Sequence, residues 1–506
     1  MTETQSLDPA TPVLVGWAAV SQREDDATTA REPIDLMIDA TRAAARRAAS
    51  ERVLATIECI YTPRGRWSYA NPGGEIGRAV GAPHARTVLS TVGVLQQTLI
   101  GDACRRIRDG ELGTALVVGG EAGYRLLRAR IADVEIEDRQ QRDEPGAVWS
   151  PEQELRHPAE LRVGLQMPIG IYCMAHSAFR AQLGRSVAEH RHAIAELWSG
   201  FSEVAAANPD AWNRQTYMPE EVEIPSERNP MQAFPYTRRM CSSWSVDQAG
   251  ALIFCSIARA RELGIPESSW IYPISSTESN YMAQASTRTE LWRVPGAAIA
   301  GREAVSGAGL NIEDIDLFDL YSAFPAAVEL YGSELGVPVG RPLTVTGGMS
   351  FAGGPYNNYT LQAVCRMADL LQASQRVPSG GGAGRQAPRL GLISNASGVL
   401  TKQAFGIWSD RPAEGFYWAD VTEAVKRESR TRAVTMEYEG EARVDGETVL
   451  YTKGKPDKAV VIATAPDGKG VVAESADPLA IERIEASGVC GNRVRVSAGQ
   501  FFDFET

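Results

Sequence analysis

The stretch Leu317–Pro355 constrains this chain more than any other. An apolar run, Leu317 to Leu320, leads into Tyr321-Ser322-Ala323-Phe324, and a helical pattern follows with Phe324, Val328, Tyr331 and Leu335 on one face. Pro325 suits the first helical turn, where its missing N–H leaves no bond unmade. A second turn, Gly347-Gly348 to Gly353-Gly354-Pro355, then opens another helix. Two such turns brought together at helix N-termini can polarise a carbonyl. Backbone N–H groups are free there, and the helix dipole favours developing negative charge.

The same order occurs earlier in the chain. Pro12 to Val20 reads as a strand and Ile34 to Ala48 as an amphipathic helix. Thr87 to Thr91 is a short strand, Gly93 to Arg108 a helix stopped by Gly110, and Thr114 to Gly120 a buried strand ending on two glycines. Charge-rich and helical material from about Glu121 to Gln232 forms an excursion of the kind that carries ligand contacts. Val246-Asp247-Gln248 then enters a core helix or strand. In the second half, Leu317–Leu320, Ala323–Leu335, Thr360–Leu371 and Arg389–Ser394 repeat the alternation, with a flexible Ser379–Gly384 run before the last.

These segments resemble the thiolase superfamily, and within it the sterol-carrier-type thiolases and thiolase-like proteins with the frame of an acetyl-CoA acetyltransferase. That family has N-E-A-F or H-D-C-F where this chain has Tyr321-Ser322-Ala323-Phe324, and G-H-P where it has Gly353-Gly354-Pro355. The resemblance spans residues 10 to 410 and implies an α/β fold, a duplicated five-layer α-β-α-β-α sandwich. Its halves are expected at 1–265, with a coenzyme A-covering loop domain at about 121–232, and at 266–415.

The frame is kept and the reactive side chains are not. Thiolases need a nucleophilic cysteine, a second cysteine and histidines from the second half; a base or dipole must lower the thiol pKa. The nucleophile position falls near Gly93, where no cysteine stands. The five histidines, 84, 157, 176, 190 and 192, all lie in the first half. His176, His190 and His192 read as solvated helix surface. The loop for the second cysteine holds Asn395-Ala396-Ser397-Gly398, and the seven cysteines read as structural. The candidate catalytic residues that remain are Tyr321 and Tyr356. The candidate ligand-binding residues are Gly93, Ser322, Gly353, Gly354, Asn357 and Ser397. Tyr321 stands at the family's oxyanion-hole position, where a phenol can donate to a carbonyl or, with a lowered pKa, accept a proton.

From about Arg430 the texture changes to short β-rich runs split by turns such as Pro466-Asp467-Gly468. Residues 430–506 are expected to form an antiparallel OB-like barrel of about six strands. The formal charge of −12 argues against nucleic acid and anionic membranes as partners. The N-terminus lacks signal-peptide character, no apolar run is long enough to span a membrane, and scattered cysteines suit a reducing cytoplasm. No cysteine spacing suggests a metal site.

Three readings stay open. The first is a thiolase-like protein that binds an acyl-CoA-like small molecule but performs neither Claisen condensation nor thiolysis. The second is a tyrosine-dependent retro-aldol lyase on a 3-hydroxyacyl-CoA with a steroid or lipid side chain. Some thiolase-like aldolases use tyrosines beside an OB-like partner domain. The third is a non-catalytic interaction subunit. No cofactor is implied beyond coenzyme A or acyl-CoA as ligand. The family's habit is a dimer through a strand near Thr87–Thr91; the altered loop at Gly93 leaves a monomer open.

Overall fold

A computed structural model describes residues 7–375, 389–498 and 501–504. The Ser379–Gly384 run and the first six residues lie outside them. The first sheet runs, edge to edge, Pro12–Gln22, Asp247–Ser256, Thr114–Ala122, Cys59–Pro63, Arg86–Ser90 and Ala147–Trp149. The second runs Leu317–Asp319, Leu390–Ser397, Lys402–Ser409, Tyr272–Ser279 and Tyr417–Asp420. It therefore extends past the expected end at 415. Helices Gln96–Arg108 and Tyr359–Gln375 lie between the two sheets. Pro33–Arg47 covers the outer face of the first sheet, and Pro295–Gly307 that of the second. This is the five-layer sandwich expected from the sequence. Its central strands read as continuous apolar runs because they are covered on both faces; Thr114–Ala122 is buried throughout.

Two local expectations are corrected. The helix expected from Gly93 starts at Gln96, because Gly93 has φ +105° and a Cβ there would sit 2.8 Å from Pro151. The helical material expected from Tyr172 to Ala206 begins earlier and is two helices, Pro168–Gln182 and Val187–Ala207, separated at Gly184 with φ +67°.

Among the described residues the C-terminal ring has five strands, against the six or so expected. Gly440–Thr452 pairs with Lys455–Thr464, which pairs with Gly470–Ser475. That strand meets Phe501–Asp503 in parallel, so the ring is not wholly antiparallel. Arg493–Ser497 joins Phe501–Asp503 to Gly440–Thr452 and closes the ring. Helix Pro478–Ser487 lies between the third and fourth strands. Val449, Val461 and Val471 fill the barrel interior, whereas Val460, Ile462 and Val472 turn to the main core, as alternation along a strand requires. The barrel is also tied to the excursion. Phe234 N donates to Val449 O at 2.8 Å, and Glu447 N to Ser177 Oγ at 2.9 Å.

Candidate functional site

Asp319 is the hub that positions the site. It is fully buried, and its Oδ2 accepts hydrogen bonds from Val345 N, Thr346 N, Thr344 Oγ1 and Thr346 Oγ1 at 3.0–3.1 Å. Its Oδ1 accepts from Tyr359 Oη at 2.8 Å. Burial pushes its pKa up, and those donors oppose the shift. One carboxylate thereby fixes the end of strand Leu317–Asp319 against the glycine turn. Ser322 Oγ completes the link by accepting from Met349 N at 3.0 Å.

A cleft of about 510 Å³ opens where these turns meet the first half. Tyr321, Phe324, Tyr356, Asn357 and Ser397 line it from the second half, and Gly93 from the first. Tyr172 and Arg156 of the excursion line it as well, together with Arg66 and Trp244. The structure thus brings together Tyr321, Tyr356, Gly93, Asn357 and Ser397. Ser322, Gly353 and Gly354 lie behind the lining as framework. Gly353 has φ +111°, and a Cβ there would lie 2.1 Å from Gln248 Oε1, so the backbone approaches too closely for a side chain.

Tyr321 is half-buried. Its N–H donates to Ser394 Oγ at 2.8 Å, and its hydroxyl interacts with that of Tyr172. Burial pushes its pKa up to about 12, the Tyr172 contact working against the shift. At neutral pH it is a protonated donor, and the proton-accepting alternative loses its physical basis. Tyr356 sits at the mouth, 38 % exposed with φ +45°, and the Arg66 guanidinium lies 5.2 Å from its ring and 5.1 Å from that of Trp244. Asn357 is a bridge between the halves: its Oδ1 accepts from Gln96 Nε2 at 3.1 Å and its Nδ2 donates to Arg64 O at 3.2 Å.

Among the described residues, the cleft lining contains neither cysteine nor histidine. All seven cysteines are free, and burial pushes the pKa of each upward, Cys241 and Cys255 to about 12. None is poised as a thiolate.

The reading of His176 and His190 as solvated is corrected; His192 is exposed. His176 is fully buried, with Nε2 2.6 Å from Glu329 Oε2 and Nδ1 2.6 Å from Tyr236 Oη. His190 packs edge-on against it. His176, His190 and Glu329 could converge on a cation. Arg185 already pairs with Glu329 at 3.2 Å, and Arg180 disfavours positive charge at His190, so the local field opposes an ion.

Arg156, Tyr172, Arg288, Arg66 and Trp244 escaped the sequence reading. Each comes from the excursion or a loop, and its place depends on contacts between distant segments. Tyr172 stands in an apolar run, IGIYCMAHSAF, that reads as ordinary core.

Residues 420–500 match the family model described as the thiolase-like protein type 1 additional C-terminal domain. No curated protein matches the sequence. Among solved structures, a monomeric SCP2-thiolase like protein type 1 from Mycobacterium smegmatis is similar over 99 % of this chain and 100 % of its own. It shows 25 % identity and a TM-score of 0.81. An Ltp2-ChsH2(DUF35) aldolase shares 18 % identity over 80 % of this chain and 99 % of its own, with a TM-score of 0.58. The dimeric peroxisomal thiolase of Saccharomyces cerevisiae shares 15 % identity over 80 % and 99 %, with a TM-score of 0.55. The latter two likenesses concern the fold.

Proposed function

We propose that this chain, which has the thiolase fold and a C-terminal region matching that of thiolase-like type 1 proteins, binds an acyl-CoA-like thioester in the cleft and performs neither Claisen condensation nor thiolysis. The carrying observation is the lining itself. Where thiolase chemistry needs thiolate and imidazole, the cleft offers the phenols of Tyr321 and Tyr172 and no cysteine or histidine among the described residues. A volume of about 510 Å³ suits an acyl group with part of its pantetheine arm. Tyr321, protonated at neutral pH, donates to the thioester carbonyl, and Tyr356, Asn357 and Ser397 line the approach. Gly93, Ser322, Gly353 and Gly354 hold the surrounding backbone. Titration of the purified chain with acyl-CoAs, followed by location of the bound ligand, tests this reading. Binding outside the cleft, or none, refutes it.

A retro-aldol lyase is the second reading. The paired phenols favour it, and so does the likeness to a structure titled as an aldolase. In that reaction the O–H proton of a 3-hydroxyacyl-CoA passes to solvent water, which later returns one, the C2–C3 bond breaks with its electron pair left on C2, and a carbonyl product departs. The enolate that remains takes a proton at C2. Tyr321 would stabilise the enolate oxygen through a preorganised hydrogen bond. The closed C-terminal ring, with one parallel pair and a helix between its third and fourth strands, has OB-like connectivity; it packs as part of the body rather than standing free. The free cysteines suit a cytoplasmic setting, and no described helix is long and apolar enough to cross a membrane.

A further inference from the structure

The cleft lining includes Arg156, a cation with no direct ion pair among the described residues, and Arg288 is a second such cation near it. Arg156 Nε donates to Leu165 O at 3.1 Å and Nη1 to Leu155 O at 3.5 Å. Its Nη2 is buried and has no hydrogen-bond partner. Arg288, 7 % exposed, is held by the carbonyls of Ala283 and Val399. Neither guanidinium has a carboxylate within ion-pair distance among the described residues, though both lie close enough to Tyr172 to feel its hydroxyl.

The nearest acid is Glu160, and its oxygens are committed elsewhere. Oε1 accepts from both Ser286 N and Ser286 Oγ at 2.8 Å, and Oε2 from His157 N at 3.3 Å. One buried and one partly buried cation therefore share a single carboxylate, which bonds to neither of them directly. Burial lowers the pKa of both arginines, that of Arg288 to about 10, so Arg288 remains charged at neutral pH. An unpaired buried charge is among the most expensive features a fold can carry, and it persists where something else supplies the counter-charge.

Arg156 and Tyr172 both line the cleft beside Tyr321, so that counter-charge can come from the ligand. We infer that Arg156, with Tyr172 beside it, binds a second, ionised carboxylate on the acyl group, making the preferred ligand a dicarboxylic acyl thioester. Arg156 Nη2 and the Tyr172 hydroxyl donate to the carboxylate while Tyr321 donates to the thioester carbonyl. Arg288 is not part of the lining, and its charge acts on Tyr172 from outside it. Guanidinium is the side chain best suited to such a carboxylate. The inference rests on the acyl-thioester reading of the cleft and adds the chemistry of the acyl group.

The test compares glutaryl-CoA with pentanoyl-CoA, five-carbon acyl groups that differ only at the far carbon. Both are titrated calorimetrically into the full-length chain. Glutaryl-CoA is expected to bind at least about tenfold tighter, and Arg156→Gln to abolish that difference while pentanoyl-CoA binding changes little. Tyr172→Phe should reduce the preference several-fold with the thermal midpoint kept. Arg156→Lys, which keeps the charge, should retain part of it and serves as the reporter if Arg156→Gln does not fold. Equal binding of the two thioesters by the parent chain overturns the inference and leaves the acyl-thioester reading intact. A preference that survives Arg156→Gln undiminished, or that neither Tyr172→Phe nor Arg156→Lys reduces, also overturns it. If neither thioester binds, the reading of the cleft fails and the inference fails with it.

Discussion

Lys402 Nζ donates to the carbonyl oxygen of Gly93 at 2.6 Å, so a buried cation of the second half pins the loop where the resemblance places a nucleophile. Burial lowers the pKa of Lys402, and the nearby Glu278 carboxylate opposes that shift. The bond holds Gly93 in a left-handed conformation against Pro151. Any side chain placed at Gly93 would meet both that conformation and Pro151.

Restoring the missing thiol therefore should not restore the chemistry. Gly93→Cys is expected to destabilise the fold by about 1–3 kcal/mol through the strained φ and the crowding with Pro151. Neither parent nor variant should cleave acetoacetyl-CoA with free coenzyme A above background. Turnover on the order of 1 per second by the parent would show that the site is elsewhere.

Tyr321→Phe removes one neutral donor from the cleft. The expected loss of acyl-CoA affinity is about 1 kcal/mol, roughly fivefold in Kd. If the chain cleaves a 3-hydroxyacyl-CoA, the same variant should lower the rate by about 10²–10³ while binding barely changes. Unchanged affinity together with unchanged turnover would make Tyr321 a packing residue.

Removing residues 431–506 should not leave a well-behaved first domain. Val460, Ile462 and Val472 belong to the main core, and full burial of each such side chain stabilises by about 1.5–3 kcal/mol. The truncated chain should lose solubility or bind a hydrophobic dye strongly. A soluble, cooperatively unfolding product would show that the two parts do not depend on each other.

Acid should weaken the fold through His190. Burial first, then the neighbouring His176, Arg185 and Arg180, lower its pKa from 6.5, so the native state keeps it neutral while the unfolded chain binds a proton. Stability contributed this way is complete above about pH 6.5 and falls as pH drops, by up to about 1.4 kcal/mol per pH unit for one proton. His190→Phe should flatten that slope in urea titrations between pH 6.5 and 5 relative to the parent. An identical slope in the two proteins would assign the acid sensitivity to other groups.

The layers were legible in the sequence because their signals are local. Thr114–Ala122 carries the apolar run Ala115 to Val118, and Leu317–Asp319 runs into a helix with Pro325 in its first turn, as the pattern requires. The Tyr321 position followed from its place after that strand. What stayed hidden depends on contacts across hundreds of residues. The burial of His176 follows from Glu329 and Tyr236, 153 and 60 residues away. The start of helix Gln96–Arg108 is set by Pro151. Arg156 looks like one charge among many in RQQRDEPGAVWSPEQELRHP until the missing counter-ion is known.

The strand Ala147–Trp149 pairs in parallel with Arg86–Ser90, from Val88↔Ala147 to Ser90↔Trp149, so the edge expected for subunit pairing is completed from within the chain. A chain paired in this way cannot offer the Arg86–Ser90 edge to a second copy unless Ala147–Trp149 is displaced. Its melting temperature and ligand affinity should then stay constant over a thousandfold dilution, whereas a dimer held through that edge would loosen as it became scarce. Sedimentation across that range should give the mass of a single chain throughout, and this site would work at any cellular abundance without waiting for an encounter.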